Sequence, residues 1–288
     1  MTNRPIASPV RTAELLKKYD LKAKKSLGQN FLMDTNILDK MLDAGEIDQD
    51  TTVIEIGPGI GALTEQLLQR AKHVYSFEID QRFIPLLNKE LGEVYDNFTL
   101  IHADILKVNL DEVLSHVSGR VAVVANLPYY ITTPIIMQLM NSELPIDRYV
   151  LMMQKEVAER MTAQPHTKAY GSLTVAIDYY CKSQIAFIVP RTVFNPKPNV
   201  DSAILLLDKR EQPKVQVSNG RQFEQLVRAS FKQRRKTLWN NLQKYAQEIN
   251  RSKEELEQAL AASQIDPQRR AETLAIEEFA LIFNELNK

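Results

Sequence analysis

Three glycines recur at every second position in Glu55-Ile-Gly57-Pro-Gly59-Ile-Gly61. Glycine reaches positive φ without strain and lets a ligand approach the backbone closely. The dinucleotide fingerprint is spaced differently, G-x-G-x-x-G, and seats a pyrophosphate on the following helix. A tighter turn with an acidic residue inside it, Glu55, suits a ligand that carries positive charge. The sulfonium and ammonium groups of S-adenosylmethionine fit that description. Two further carboxylates complete the pattern. Glu78 closes the next apolar run, where it can accept both hydroxyls of a ribose. Asp104 follows the third, where it can accept from an adenine amine. A nicotinamide enzyme is the competing reading, and the glycine spacing disfavours it.

A second motif, Asn126-Leu127-Pro128-Tyr129, suits an amine carried on a planar base. The lone pair of such an amine is delocalised into the ring, as at N6 of adenine, so it is a poor nucleophile. It needs acceptors that hold its hydrogens and draw the nitrogen toward tetrahedral geometry. The Asn126 side-chain oxygen can be one acceptor, and the Leu127 or the Pro128 carbonyl the other. Pro128 stiffens the turn. Tyr129 can stack on the base, a contact worth about 1–3 kcal/mol. Catalysis is then mainly positioning and electrostatics, with the amine in line with the methyl–sulfur bond. A base inside a duplex or stack has to be flipped out to reach such a site.

The elements that must hold these residues are legible as alternating runs. Thr52–Ile56, His73–Ile79, Phe98–His102, Val121–Ala125 and Tyr149–Met153 read as strands. Ala62–Arg70, Gln81–Gly92 and a stretch from Pro134 to Met140 read as helices. The alternation predicts an α/β fold with a doubly wound, parallel, Rossmann-like sheet. Ligands of such sheets bind beyond the carboxyl ends of the strands, where Gly57, Glu78, Asp104 and Asn126 all fall. The pattern breaks across Lys209–Gly220. A domain over 1–210 is therefore expected, followed by a small all-α domain over 211–288. Within the latter, Ser252-x-x-Glu255 has the form of a capping box, and Glu277–Leu286 is amphipathic.

Over 288 residues the 36 basic and 36 acidic side chains cancel, but they are unevenly placed. Residues 1–30, read as a basic N-terminal arm, hold seven Lys/Arg against two Asp/Glu, and residues 214–244 hold eight against one. Both segments are expected to face an anionic partner. Cys181 is the single cysteine, which excludes an intrachain disulfide and a cysteine zinc cluster. The four histidines lack ligand spacing, so no metal is expected. Without a membrane-length apolar run or a secretory h-region, a cytoplasmic protein is expected.

Taken together, five segments resemble the ribosomal RNA adenine dimethyltransferases, among them those of the small subunit. The segments are Lys24–Leu32, the glycine turn, Asn126–Tyr130, Val193–Ser202 and Arg234–Leu238, and the resemblance spans nearly the whole chain. It implies a methyltransferase domain with a small helical domain that binds RNA or the ribosome. It also implies dimethylation of two adjacent adenosines near the 3′ end of 16S rRNA within the small subunit, and a contribution to subunit biogenesis. By the same resemblance Gln29, Asn30 and Leu32 join Gly57, Glu78, Asp104 and Asn126 at the cofactor. Glu55, Gly59 and Gly61 belong to the same turn, and Ile79 and Ile105 are apolar walls for the cofactor's adenine. Phe194 is implied to sandwich the target base opposite Tyr129. Lys24, Lys25, Lys232, Arg234, Arg235 and Lys236 are expected at RNA phosphates, whereas Trp239 is expected to pack inward. A monomer suits a protein that docks on a large particle. Two other readings stand beside this one: a resistance-type methyltransferase acting on 23S rRNA, and an assembly factor whose binding matters more than its catalysis.

Overall fold

The computed structural model describes residues 4–24, 27–128 and 131–288. Its strands are β1 (Phe31–Leu32), β2 (Thr52–Ile56), β3 (His73–Glu78), β4 (Phe98–His102), β5 (Val121–Asn126), β6 (Ile146–Gln154), β7 (Cys181–Val189), β8 (Phe194–Asn195) and β9 (Ser202–Lys209). The helices of the first half are α1 (Pro9–Lys18), α2 (Thr35–Ala44), α3 (Ala62–Arg70), α4 (Ile84–Leu87), α5 (Leu110–Val113) and α6 (Thr132–Met140). Those of the second half are α7 (Lys155–Met161), α8 (Ser172–Tyr180), α9 (Gly220–Ser230), α10 (Leu238–Glu248), α11 (Lys253–Ala262) and α12 (Ile276–Leu286). None of the described helices is long and apolar enough to cross a membrane.

A seven-stranded sheet runs in the order β4-β3-β2-β5-β6-β9-β7. From β4 to β6 every neighbouring pair is parallel. The chain winds outward from β2 through β3 to β4, then returns to place β5 on the other side of β2. The order therefore switches between β2 and β5, where the crossovers leave opposite faces and open a crevice. The sheet is not wholly parallel, because β9 pairs antiparallel with β6 and β7 lies beyond it. Separately, β1 and β8 form a two-stranded antiparallel ladder with Leu32 opposite Phe194.

Strands β2 and β5 carry β-branched and small apolar residues and are buried along almost their full length, as central parallel strands are. The segment expected as one helix over Gln81–Gly92 is built in three turns. A 3-10 turn at Gln81–Phe83 leads into α4, and a π-helical turn follows at Asn88–Gly92. This keeps Phe83, Leu86, Leu87 and Leu91 all in the core.

Two compact units divide the chain. The first is Met1–Ala158 with Gln184–Lys209; the second is Glu159–Ser183 with Arg210–Lys288. The sequence places a single boundary at 210/211 and does not assign the segment around α8 to the helical part. That segment joins the second unit because Tyr170, Val175 and Tyr179 share one apolar core with Phe223, Leu226 and Phe283. In the same unit Ser252 and Glu255 form the expected reciprocal cap, with Ser252 N–H donating to Glu255 at 2.7 Å and Glu255 N–H to Ser252 Oγ at 3.2 Å.

Candidate active site

A cleft of about 1150 Å3, open to solvent, lies at the carboxyl ends of β2, β3 and β5, within the first unit. The turn after β2 forms its floor. Gly57 has φ of +70°, and a Cβ built there meets nothing within 4 Å, so the backbone presents an open face. Gly59 has φ of +58°, and its N–H donates to Glu78 Oε2 at 3.0 Å. Gly61 serves packing instead. At φ of +85° it starts α3, and a Cβ there would stand 2.7 Å from Leu91 Cδ1. Gly57 and Gly59 line the cleft and Gly61 does not.

Glu55 is not brought to the cleft either. It sits inside β2, 1% exposed, and accepts from Thr64 Oγ1 at 3.1 Å and Ser76 Oγ at 2.5 Å. Parallel register sets Ser76 directly opposite it, and Thr64 comes from α3. Two neutral hydroxyls do not offset the loss of water, so burial pushes this carboxyl up to about 7. It braces the strand-to-helix turn from inside and does not line the cleft.

Glu78 does reach the cleft, at the end of β3. Its two oxygens each accept one backbone N–H, from Gly59 at 3.0 Å and Asp80 at 2.7 Å. Burial raises its pKa and those two bonds oppose the rise. The carboxylate is thus fixed in place with acceptor capacity left on both oxygens. Asp104 also lines the cleft, and Oδ1 caps the turn after β4 by accepting from Leu106 N–H at 3.1 Å. Ile79, 53% exposed, and Ile105, 5% exposed, form apolar wall beside the two acids.

The segment that leads from the arm into β1 also contributes. Gln29, Asn30 and Leu32 all line the cleft. Asn126 ends β5, and its Nδ2 donates to the Asn30 carbonyl at 3.5 Å, which leaves Oδ1 as the end of the amide available to accept. Leu127 N–H donates to the Met152 carbonyl of β6 at 3.0 Å. The Pro128 carbonyl is already engaged twice, by Ile131 N–H at 3.2 Å and by Thr132 Oγ1 at 3.1 Å. Asn126, Leu127 and Pro128 line the same cleft as Gly57 and Glu78. Tyr129 and Lys25 lie outside the described residues.

Phe194, expected over the target base, is 4% exposed, packs in the core and is not part of the cleft lining. Its pairing in β8 opposite Leu32 of β1 turns it inward. Asp80 is the feature that sequence reasoning passed over: it is 6% exposed and collects donors from Arg82 and from the arm. The visible signal was the acidic pair Glu78-x-Asp80 followed by Arg82.

In the second unit, residues 232–236 form the turn between α9 and α10. Lys232, Arg235 and Lys236 are exposed. Arg234 has internal partners, with Nε 2.8 Å from Glu272 and Nη2 donating to the Lys168 carbonyl. Trp239 is half-buried against the helical core, as expected. In the arm, Lys24 stands 3.8 Å from Asp80.

This geometry can be set beside known proteins. Residues 20–288 match the family described as ribosomal RNA adenine dimethylase. A Bacillus pumilus protein named ribosomal RNA small subunit methyltransferase A is 54% identical over 289 residues, covering 99% of each chain. The protein of that name from Enterococcus faecalis is 52% identical, over 99% of this chain and 97% of its own. Among solved structures, a dimethyladenosine transferase from Plasmodium falciparum superimposes with a TM-score of 0.74 at 30% identity, over 89% of this chain and 97% of its own. The 23S rRNA methyltransferase ErmE superimposes at 0.65 and 26% identity, over 89% and 99%. A methyltransferase with this sheet, this cleft and a match of that extent belongs to the ribosomal RNA adenine dimethylase family.

Proposed function

We propose that the chain uses S-adenosylmethionine to dimethylate N6 of two adjacent adenosines in the 3′-terminal hairpin loop of 16S rRNA within the small ribosomal subunit. The observation that carries this is the meeting in one cleft of a fixed acidic acceptor, Glu78, and the Asn126 amide, whose nitrogen is engaged by the Asn30 carbonyl.

The residues present fit the methyl donor. Glu78 keeps acceptor capacity for ribose hydroxyls, Gly57 leaves room for close approach, and Ile79 and Ile105 supply apolar wall for a purine. Asp104 offers an acceptor for the purine's amine, and Asn30 and Leu32 line the same cleft. The donor supplies an electrophilic methyl group. The protein supplies position: Asn126 Oδ1 accepts one hydrogen of the target amine and holds the nitrogen for in-line attack. The double occupancy of the Pro128 carbonyl favours the Leu127 carbonyl as the second acceptor. Tyr129 stacks on the base. Lys24, Lys25, Lys232, Arg235 and Lys236 contact phosphates, which orients the RNA without reading sequence. The chain acts as a cytoplasmic monomer and contributes to small-subunit biogenesis through the same docking.

The test is mass spectrometry of RNA digests after incubating the protein and S-adenosylmethionine with small subunits that lack the modification. N6,N6-dimethyladenosine in a 16S fragment is the expected product. Transfer confined to 23S rRNA, the reading that the likeness to ErmE favours, overturns the proposal. Asn126→Ala separates catalysis from assembly. Normal subunit maturation with that variant, despite lost methylation, assigns the biogenesis role to binding.

A further inference from the structure

Asp80 leaves β3 two residues after Glu78, and its side chain is 3% exposed. Its oxygens accept from Arg82 Nε at 2.9 Å, from Arg82 Nη2 at 2.6 Å and from Gln29 Nε2 at 3.0 Å, with Lys24 Nζ at 3.8 Å. The Arg82 guanidinium holds this carboxyl well below the usual carboxylate range. Arg82 also donates to the Lys22 carbonyl at 3.2 Å. One buried charge therefore ties together residues of the arm and the exit of β3.

Gln29 shows what the tie accomplishes. It lines the cleft, yet both ends of its amide are committed within the protein. Nε2 goes to Asp80, while Oε1 accepts from Lys24 N–H at 2.8 Å and Arg82 Nη2 at 3.5 Å. A side chain used in this way is a strut, not a ligand contact. The next residue, Asn30, carries the carbonyl that accepts from Asn126. We propose that Asp80 is a positioning residue of the methyl-donor site, which, with Arg82, anchors Gln29 as a strut and so holds the Gln29–Asn30 wall against the cleft. This role rests on the reading of the cleft as an S-adenosylmethionine site.

The strut makes donor affinity depend on a carboxylate that does not line the cleft. Loss of a hydrogen bond to a buried charge is worth about tenfold in an equilibrium constant. In Asp80→Asn and in Gln29→Met, calorimetry with S-adenosylhomocysteine is expected to show Kd raised about tenfold, with KM for S-adenosylmethionine rising in step and kcat changing far less. The double variant is expected to be no worse than the weaker single one, because Asp80→Asn weakens the contact that Gln29→Met removes. Hydrogen exchange is expected to quicken in residues 27–32 and to stay unchanged in α3. Unchanged Kd in Asp80→Asn with a cooperative melt, or additive losses in the double variant, overturns the positioning role while leaving the donor site standing. Should Asp80→Asn not fold, Gln29→Met alone decides, since the part-exposed Gln29 bears no charge. Failure of the parent chain to bind S-adenosylhomocysteine overturns the donor reading and this role with it.

Discussion

Two adjacent strands each carry a buried glutamate near the carboxyl end, and the two do opposite things. Glu55 of β2 is closed in by the hydroxyls of Thr64 and Ser76 and never reaches the cleft. Glu78 of β3 is closed in by two backbone N–H groups and keeps an open side. Nearby Asp80 adds a third case, also little exposed but matched by a guanidinium, and its pKa falls where the other two rise. Burial alone therefore does not decide whether a carboxylate is charged or what it serves. The partner does: a hydroxyl braces, an oriented amide presents, and a cation clamps.

Glu78→Gln is expected to weaken S-adenosylhomocysteine binding about a hundredfold by calorimetry, since it removes the charge from two ligand hydrogen bonds. Glu55→Gln is expected to leave that affinity within about twofold, as the residue is not in the lining. A large loss with Glu55→Gln would erase the distinction between the two acids.

Stability is where Glu55 should speak. Its folded pKa of about 7 lies above the unfolded value of 4.5. The protonated form's contribution is therefore full below 4.5 and lost as pH rises through about 7. Glutamine has no proton to lose. Urea unfolding is expected to find Glu55→Gln about 3 kcal/mol more stable relative to the parent at about pH 8.5 than at about pH 4. Parallel pH profiles for the two proteins would refute this.

The glycines sharpen the same contrast. Gly57→Ala and Gly61→Ala both place a side chain at positive φ, which costs about 1–2 kcal/mol. Only at Gly61 does the new methyl meet the buried Leu91, adding about 1–3 kcal/mol of overpacking. Melting should therefore fall further for Gly61→Ala and donor affinity further for Gly57→Ala. The reverse order would mean that the cleft floor is misassigned.

The smallest effects separate neighbouring arginines of the second unit. Arg234→Ala is expected to cost about 0.5–1 kcal/mol of stability through its contacts to Glu272 and Lys168. Arg235→Ala should leave stability within about 0.5 kcal/mol. It should also reduce the salt slope of RNA binding by about one.

Local pattern made much of this readable. Thr52–Ile56, Ala62–Arg70 and Phe98–His102 have the bounds that the sequence predicts, because each is a run with sharp punctuation. The direction of Glu55 was hidden for a physical reason. A strand buried on both faces offers no polar alternation to show which side a residue faces. Phe194 was hidden because its burial depends on a ladder between segments far apart in sequence. Asp80 was half visible: the acidic pair can be read locally, but its partner Gln29 lies 51 residues away. The helical unit's claim on Glu159–Ser183 left no compositional break to see.

Pro128 has no N–H, and its oxygen is already spoken for by Ile131 and Thr132. On the proposed reading, the acceptors left for an exocyclic amine among the described residues of this motif are Asn126 Oδ1 and the Leu127 carbonyl. An unmodified adenine has two N–H bonds to fill them, a monomethylated one has one, and a dimethylated one has none. Such a site counts hydrogens. Its hold on the base weakens by one bond with each methyl added, so the finished product is the species with the least reason to stay.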